Sequence, residues 1–472
     1  MSDQIPVVKS FRKCCFSGRH FECDTSFEFD IQIIKPDAVG RDLALYVLLE
    51  QPFDNMTPLL TTLMQEGVIP YGMLLFVVPG CMSPTLPCGS SRKMRAAEFD
   101  QYGADFSNFL IEELLPEACR ISEETLSPSP DMHFICGASS GGMVAWNAVW
   151  FRNDYFRRAY LSSPTFSAMR GGEEAMVIAR KTETKPIKLY ITCGTDEPDY
   201  FFGSSLMAAQ NAASSLEFAG YDLRYEQFNG EGHCCRWKDV TLWRRVMSFL
   251  WANWKTVPVL PLFQQIRIRK LVAEGSQWRK YKGDFPRKTE LFANGGTYSF
   301  ADGKIFFKKG DAVKTAAEGF GKITALGLST DKWKLYIADE ERRFIFSMSI
   351  LPDGSLKDPG KLAPLHLKYD FSRPGASDLA VLADDRVLAA TEIGVQGIVS
   401  FGLTDLILPL PGDLPVEKIA VCGKTLYAAS GNVFFSRELK ISGSESDNPP
   451  IAPATPGYGD GFYYGRSHLF FS

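Results

Sequence analysis

Residues 134–142 read Phe134-Ile135-Cys136-Gly137-Ala138-Ser139-Ser140-Gly141-Gly142, an apolar run that feeds a G-x-S-x-G box. Met143-Val144-Ala145-Trp146-Asn147-Ala148-Val149-Trp150 follows, small and apolar like a buried helix. Strand, glycine-flanked serine, then helix is the order a nucleophile elbow requires. The glycines permit a sharp turn where a side chain would collide, and the turn lifts the Ser139 hydroxyl off the sheet edge. A Gly/Ser-rich loop capping a helix is the plainer reading of the same residues. The flanking context favours a nucleophile.

Outward from the box the chain alternates. Residues 44–49 and 73–78 are continuous apolar runs, with a helical period over 57–65 between them. A Pro/Gly/Ser-rich loop at 79–91 precedes a helix expected near 100–115 and ended by Pro116. Beyond the box come short strands at 158–161 and 187–192, a helix at 204–219, a strand at 221–228 and a closing helix at 241–254. Apolar strands alternating with helices predict a parallel sheet covered on both faces, an α/β domain over residues 1–255. Thr256-Val257-Pro258-Val259-Leu260-Pro261 then reads as a linker.

Residues 262–472 change character to short strand pairs broken by turns. Similar units recur: Ala301-Asp302-Gly303-Lys304-Ile305-Phe306-Phe307, Lys332-Trp333-Lys334-Leu335-Tyr336-Ile337-Ala338, Asp384-Asp385-Arg386-Val387-Leu388-Ala389-Ala390, Gly423-Lys424-Thr425-Leu426-Tyr427-Ala428-Ala429 and Gly459-Asp460-Gly461-Phe462-Tyr463-Tyr464. A spacing of about 30 to 50 residues is blade spacing. The fold class expected is therefore α/β plus all-β, the second part a β-propeller of about five or six blades, with a β-sandwich as the alternative.

Composition narrows the function classes. The chain has 472 residues, 45% hydrophobic and 22% charged, enough for packed cores in about two or three domains. A formal charge of -4 argues against nucleic acid as a partner. The N-terminal residues show no basic segment followed by an apolar one, and no apolar run reaches membrane-span length. A cytoplasmic protein with no membrane partner is the expectation. The 11 cysteines include the vicinal pairs Cys14-Cys15 and Cys234-Cys235 but no C-x-x-C, so reduced thiols are expected rather than zinc or a disulfide framework.

A nucleophilic serine needs a base, an orienting carboxylate and oxyanion donors. In this chain order the acid follows the serine and the histidine comes last. Of five histidines, only His233, His366 and His468 follow Ser139, and only His233 lies inside the α/β domain. It sits in the glycine-rich Phe228-Asn229-Gly230-Glu231-Gly232-His233, where a base belongs; a plain surface-loop histidine is the alternative. Ile191-Thr192-Cys193-Gly194-Thr195-Asp196-Glu197-Pro198-Asp199 offers the acid. Glu197 ranks first by its offset from Gly194, with Asp196 and Asp199 still open. One oxyanion donor should be the Ser140 backbone N–H. The second should come from Glu50-Gln51-Pro52-Phe53, where Pro52 has no N–H and Gln51 or Phe53 must serve. A single lost donor costs about 3 kcal/mol of transition-state stabilisation.

With these residues placed, residues 40–255 resemble the enterochelin-esterase/feruloyl-esterase-like branch of the α/β-hydrolases, the esterase D type. The resemblance rests on Gly137-Ala138-Ser139-Ser140-Gly141-Gly142, Phe156-Arg157-Arg158, Arg170-Gly171-Gly172, Arg180-Lys181-Thr182-Glu183-Thr184-Lys185-Pro186-Ile187 and Arg95-Ala96-Ala97-Glu98-Phe99-Asp100. It implies Ser139 as nucleophile, His233 as base and Glu197 or a neighbour as orienter. It also puts Arg95 near a substrate carboxylate or phenolate, against the simpler reading of a surface Arg95–Glu98 pair. The chain departs from the family at Glu50-Gln51-Pro52, where relatives carry Asp-Gly-Gly.

Residues 271–402 resemble the gluconolactonase/regucalcin-type propeller, in which a Glu, two Asn and an Asp hold a divalent metal on the axis. Ser377-Asp378-Leu379-Ala380 resembles the Asp-bearing segment. Lys322-Ile323-Thr324-Ala325-Leu326-Gly327 lacks the ligand Asn, and nothing near 280–287 matches the Glu segment. Too few oxygen ligands remain for a hard cation, so no metal and no cofactor are expected.

The resemblance implies a serine-dependent carboxylic ester hydrolase. Its substrate would be an acyl ester of a carbohydrate, aromatic acid or lactone, with the propeller as an accessory domain. A homo-oligomer is compatible with the composition. Two other readings stand beside it: a catalytically weakened scaffold that keeps the elbow by descent, and a metal-dependent lactonase in the propeller.

Overall fold

The structure is a computed structural model and describes residues 7–17, 25–35, 42–50, 55–82, 92–167, 169–286 and 290–444. The chain divides into two compact units. One runs up to Arg180 and resumes over Thr184–Phe263; the other takes Lys181–Glu183 and continues from Gln264.

Apolar strands built the first unit's sheet: β1 (Val7–Ser17), β2 (Thr25–Lys35), β3 (Ala44–Leu49), β4 (Gly72–Val77), β5 (His133–Ala138), β6 (Arg158–Ser162), β7 (Lys188–Gly194) and β8 (Asp222–Phe228). Their order across the sheet is β1-β2-β4-β3-β5-β6-β7-β8, and two short strands, Cys81–Met82 and Arg92–Lys93, extend it beside β2. All neighbours from β4 to β8 are parallel, whereas β1, β2 and β4 meet antiparallel. β3, β4, β5 and β6 are buried along their whole length, as strands covered on both faces must be. On one face Tyr46, Leu48, Leu74, Phe134, Tyr160 and Tyr190 pack with Leu60 and Leu63 of the helix Met56–Gln65 and with Trp243, Val246 and Leu250 of the helix Val240–Leu250. On the route between β5 and β6 lies the helix Ser140–Phe151, with all twelve residues buried. The serine box stands at the C-terminal end of β5, in the middle of this mixed sheet.

The helix expected to end at Pro116 does not stop there. Asp105–Phe109 passes through a π turn at Leu110–Leu114 into Leu115–Ser122. Pro116 falls directly after the π turn, at the start of that last segment. The wider π turn supplies the change of register.

The second unit contains four four-stranded antiparallel sheets among the described residues. The first three each take four successive strands, starting at Leu291–Ala293, Ile323–Leu328 and Asp378–Val381. The fourth joins Lys418–Cys422, Thr425–Ser430 and Val433–Glu438 to Arg279–Tyr281, the first strand of the unit. Pairing the first strand into the last sheet closes a chain of sheets on itself. Residues from all four sheets line one cavity of about 810 Å³, the propeller-like arrangement. The described residues thus hold four blades rather than five or six, and each takes in one of the first four sequence units. The fifth unit, 459–464, lies outside the described residues.

Candidate active site

Ser139 connects β5 to the helix Ser140–Phe151 with φ 56° and ψ −121°, a conformation that side chains rarely adopt. The strain falls on the serine, and the glycines do another job. A Cβ on Gly137 would stand 2.3 Å from the Gly141 carbonyl, so Gly137 lets strand and helix touch. The Ser139 N–H donates to the Ser162 carbonyl at 2.9 Å, pinning the turn to β6. Ser140 is the first helical residue, so its N–H has no partner within the helix.

His233 lies in the loop after β8, and Glu197 in the loop after β7. The imidazole Nδ1 and the Glu197 Oε2 are 2.5 Å apart. Gly194 makes this approach: a Cβ there would fall 1.9 Å from the Glu231 carbonyl. The Glu197 side chain is fully enclosed. Its other oxygen, Oε1, accepts the Gly194 N–H at 3.2 Å and the Ser163 hydroxyl. Burial pulls this carboxyl upward, but donors from His233, Ser163 and Gly194 outweigh it and hold the group below the usual glutamate range. Hydrogen bonds to the Cys234 sulfur and to Glu197, against the opposing pull of burial, push the imidazole up to about 10. Of the alternative acids, Asp196 is exposed and accepts from Thr195 Oγ1 at 3.2 Å, while Asp199 is exposed in the short strand Asp199–Tyr200.

Ser139 and His233 line one cavity of about 700 Å³, together with Leu49, Glu50, Arg95, Cys234, Trp237 and Lys238 among others. Arg95, at the start of the helix Arg95–Phe99, donates from Nε to Glu50 at 2.6 Å and from Nη1 to the Ser140 Oγ at 2.6 Å. Its partner is therefore Glu50, not Glu98. Glu98 is buried and accepts the Gly80 N–H at 2.8 Å, and burial, opposed by that bond, raises it to about 7. Burial lifts the pKa of Asp100, against the pull of Ser140, Arg95 and Arg170.

Gln51, together with Pro52 and Phe53, lies outside the described residues. Glu50 before them has φ 70°, and its N–H is spent on the Val77 carbonyl at 2.7 Å. Its side chain lies against the helix start, since a Cβ on Gly141 would be 3.8 Å from the Glu50 Cγ.

Ser163 and Cys234 entered the site without local motifs to announce them, whereas Glu50 opens the segment read as the second oxyanion loop. The one sequence signal for Cys234 is that it follows His233. Asp378, the residue resembling a metal ligand, is engaged elsewhere. Its two oxygens accept the backbone N–H groups of Leu379 and Ile419 at 2.9 Å each. No group of three or more metal-ligating side chains occurs among the described residues, and no helix there is long and apolar enough to cross a membrane.

No protein-family model matches the chain, and no curated protein is similar to it. Among solved structures it is similar to enterochelin esterase from Shigella flexneri, at 20% identity over 53% of this chain and 60% of that one, with a TM-score of 0.41. It thus spans three fifths of that esterase. It is also similar to the ferulic acid esterase AmCE1/Fae1A from the anaerobic fungus Anaeromyces mucronatus, at 15% identity over 54% and 96% with a TM-score of 0.38. The BES protein from Bacillus cereus gives 16% identity over 53% and 98%, with a TM-score of 0.36.

Proposed function

We propose that the first unit is a serine-dependent carboxylic ester hydrolase. The observation that carries this reading is one cavity lined by a strained, turn-borne serine and by a histidine whose Nδ1 meets a buried carboxylate at 2.5 Å. Nδ1 is committed to Glu197, which fixes the tautomer and leaves Nε2 to take the Ser139 proton. Ser139 Oγ then attacks the acyl carbon, and the Ser140 N–H receives the charge that develops on the carbonyl oxygen. Collapse returns the proton from His233 to the departing alcohol. Water, activated by the same imidazole, releases the acid and restores Ser139.

Arg95 contacts the substrate at the cavity wall in this reading. It also neutralises Glu50, whose carboxylate beside the helix start would otherwise oppose a developing oxyanion. The substrate class is the one the sequence resemblance implies: an acyl ester of a carbohydrate, aromatic acid or lactone. The second unit acts as an accessory domain without a metal.

A panel of feruloyl, acetyl and lactone esters tests the proposal. Wild type should turn over at least one class, and Ser139→Ala should lose about a thousandfold or more in kcat/KM. Undiminished turnover by the variant would remove the reading.

A further inference from the structure

Two serines in the first unit hold left-handed backbone beside the candidate site. Ser139 has its explanation in the elbow; Ser163 stands at φ 44°. Glycine takes that conformation freely, so a hydroxyl kept there against strain asks for a reason. Ser163 is 3% exposed, and its N–H donates to the Thr192 carbonyl at 2.7 Å, which fixes it just past the end of β6.

Its Oγ has two partners. The backbone N–H of Cys234, next to His233, donates to it at 2.9 Å, and Oγ meets the Glu197 Oε1. An N–H can only donate, so it occupies a lone pair of Oγ and leaves the single hydroxyl proton for the carboxylate. The direction of the relay is thereby decided: Cys234 N–H to Ser163, Ser163 O–H to Glu197. One side chain ties together the loop that carries the histidine and the acid that orients it.

We infer that Ser163 is a positioning residue of the hydrolytic site, which holds Glu197 ionised with Oε2 turned to His233 and locks the His233 loop to the acid. This rests on the hydrolase reading above. The hydroxyl stabilises the carboxylate most when the imidazole is neutral, the form that accepts the serine proton. Without it the Glu197–His233 pair takes up a proton at higher pH.

The full-length protein is labelled with a fluorophosphonate, and the rate of Ser139 modification is followed across pH in wild type and Ser163→Gly. Glycine relieves the strained backbone while it removes the hydroxyl and its two bonds, so a melting temperature taken alongside confirms that the variant is folded. Labelling at pH 8 should slow at least about fivefold, the share of one hydrogen bond to a charged group. The acid-side midpoint should move upward. Ser163→Ala carries the same test should the glycine variant not fold. A wild-type rate and midpoint in the variants overturns the inference alone, and so does a slower rate with an unmoved midpoint, which marks a packing residue. Folded wild type that takes no label overturns the hydrolase reading and the inference with it.

Discussion

Glu197 in the first unit and Asp378 in the second are both enclosed carboxylates in segments that resemble functional motifs, yet the fold treats them differently. Asp378 spends each oxygen on a backbone N–H, one from its own strand and one from Ile419 in the next sheet. It staples blades. Glu197 gives one oxygen to Gly194 and Ser163 and reserves the other for His233, a titratable ring on a cavity wall. A buried acid whose two oxygens hold backbone N–H groups in place serves the fold; one that keeps an oxygen for a titratable partner is poised for chemistry.

The largest effect that tests this contrast is on turnover. Glu197→Gln keeps the shape but removes the charge and the tautomer control, and should lower kcat about a thousandfold. Asp378→Ala should leave ester hydrolysis within twofold, while orphaning two backbone N–H groups and destabilising the second unit by on the order of 3 kcal/mol in urea unfolding. Equal activity losses in the two variants would erase the distinction.

A smaller effect concerns pH. Because Cys234 and Glu197 raise the imidazole, the acid limb of kcat/KM should lie above the ordinary histidine value of about 6.5. Cys234→Ala removes the first of those causes and should move the limb downward by roughly half a unit to one unit. An unmoved limb would mean that the sulfur does not reach the ring.

Glu98 supplies the smallest test, an acid between the two cases. One oxygen accepts the Gly80 N–H, and the other has no partner among the described residues. With its folded value raised from 4.5 to about 7, its favourable contribution is complete below pH 4.5 and lost as pH rises through 7. Glu98→Gln should therefore stabilise the protein by on the order of 3 kcal/mol at pH 8 and have almost no effect at pH 4. Thermal melts at both pH values decide it.

Much of the fold is legible along the chain because fully buried parallel strands write continuous apolar runs. Residues 44–49 form a strand as read, and the Gly137–Gly142 box sits where strand meets helix. β2 announces itself differently: Phe27, Phe29, Ile31 and Ile33 are buried and alternate with Glu28, Asp30 and Gln32, the period of a strand with one face inward. That signal is weaker than an apolar run. The π turn at Leu110–Leu114 is not legible, since Pro116 predicts a stop unless the register is known to shift. In the site, chain order and loop position point to Ser139, His233 and Glu197. Ser163 was invisible because its meaning lies in contacts 34 and 71 residues away. The Arg95–Glu50 bond likewise spans 45 residues, and the nearer Glu98 misdirected the pairing.

The most direct test of the account is a mass-mapped fluorophosphonate adduct on the folded protein. A hydroxyl activated by the His233–Glu197 pair should yield a single adduct on Ser139, lost in His233→Ala. Folded wild type without an adduct, or an equal adduct on Ser139 in His233→Ala, would contradict it.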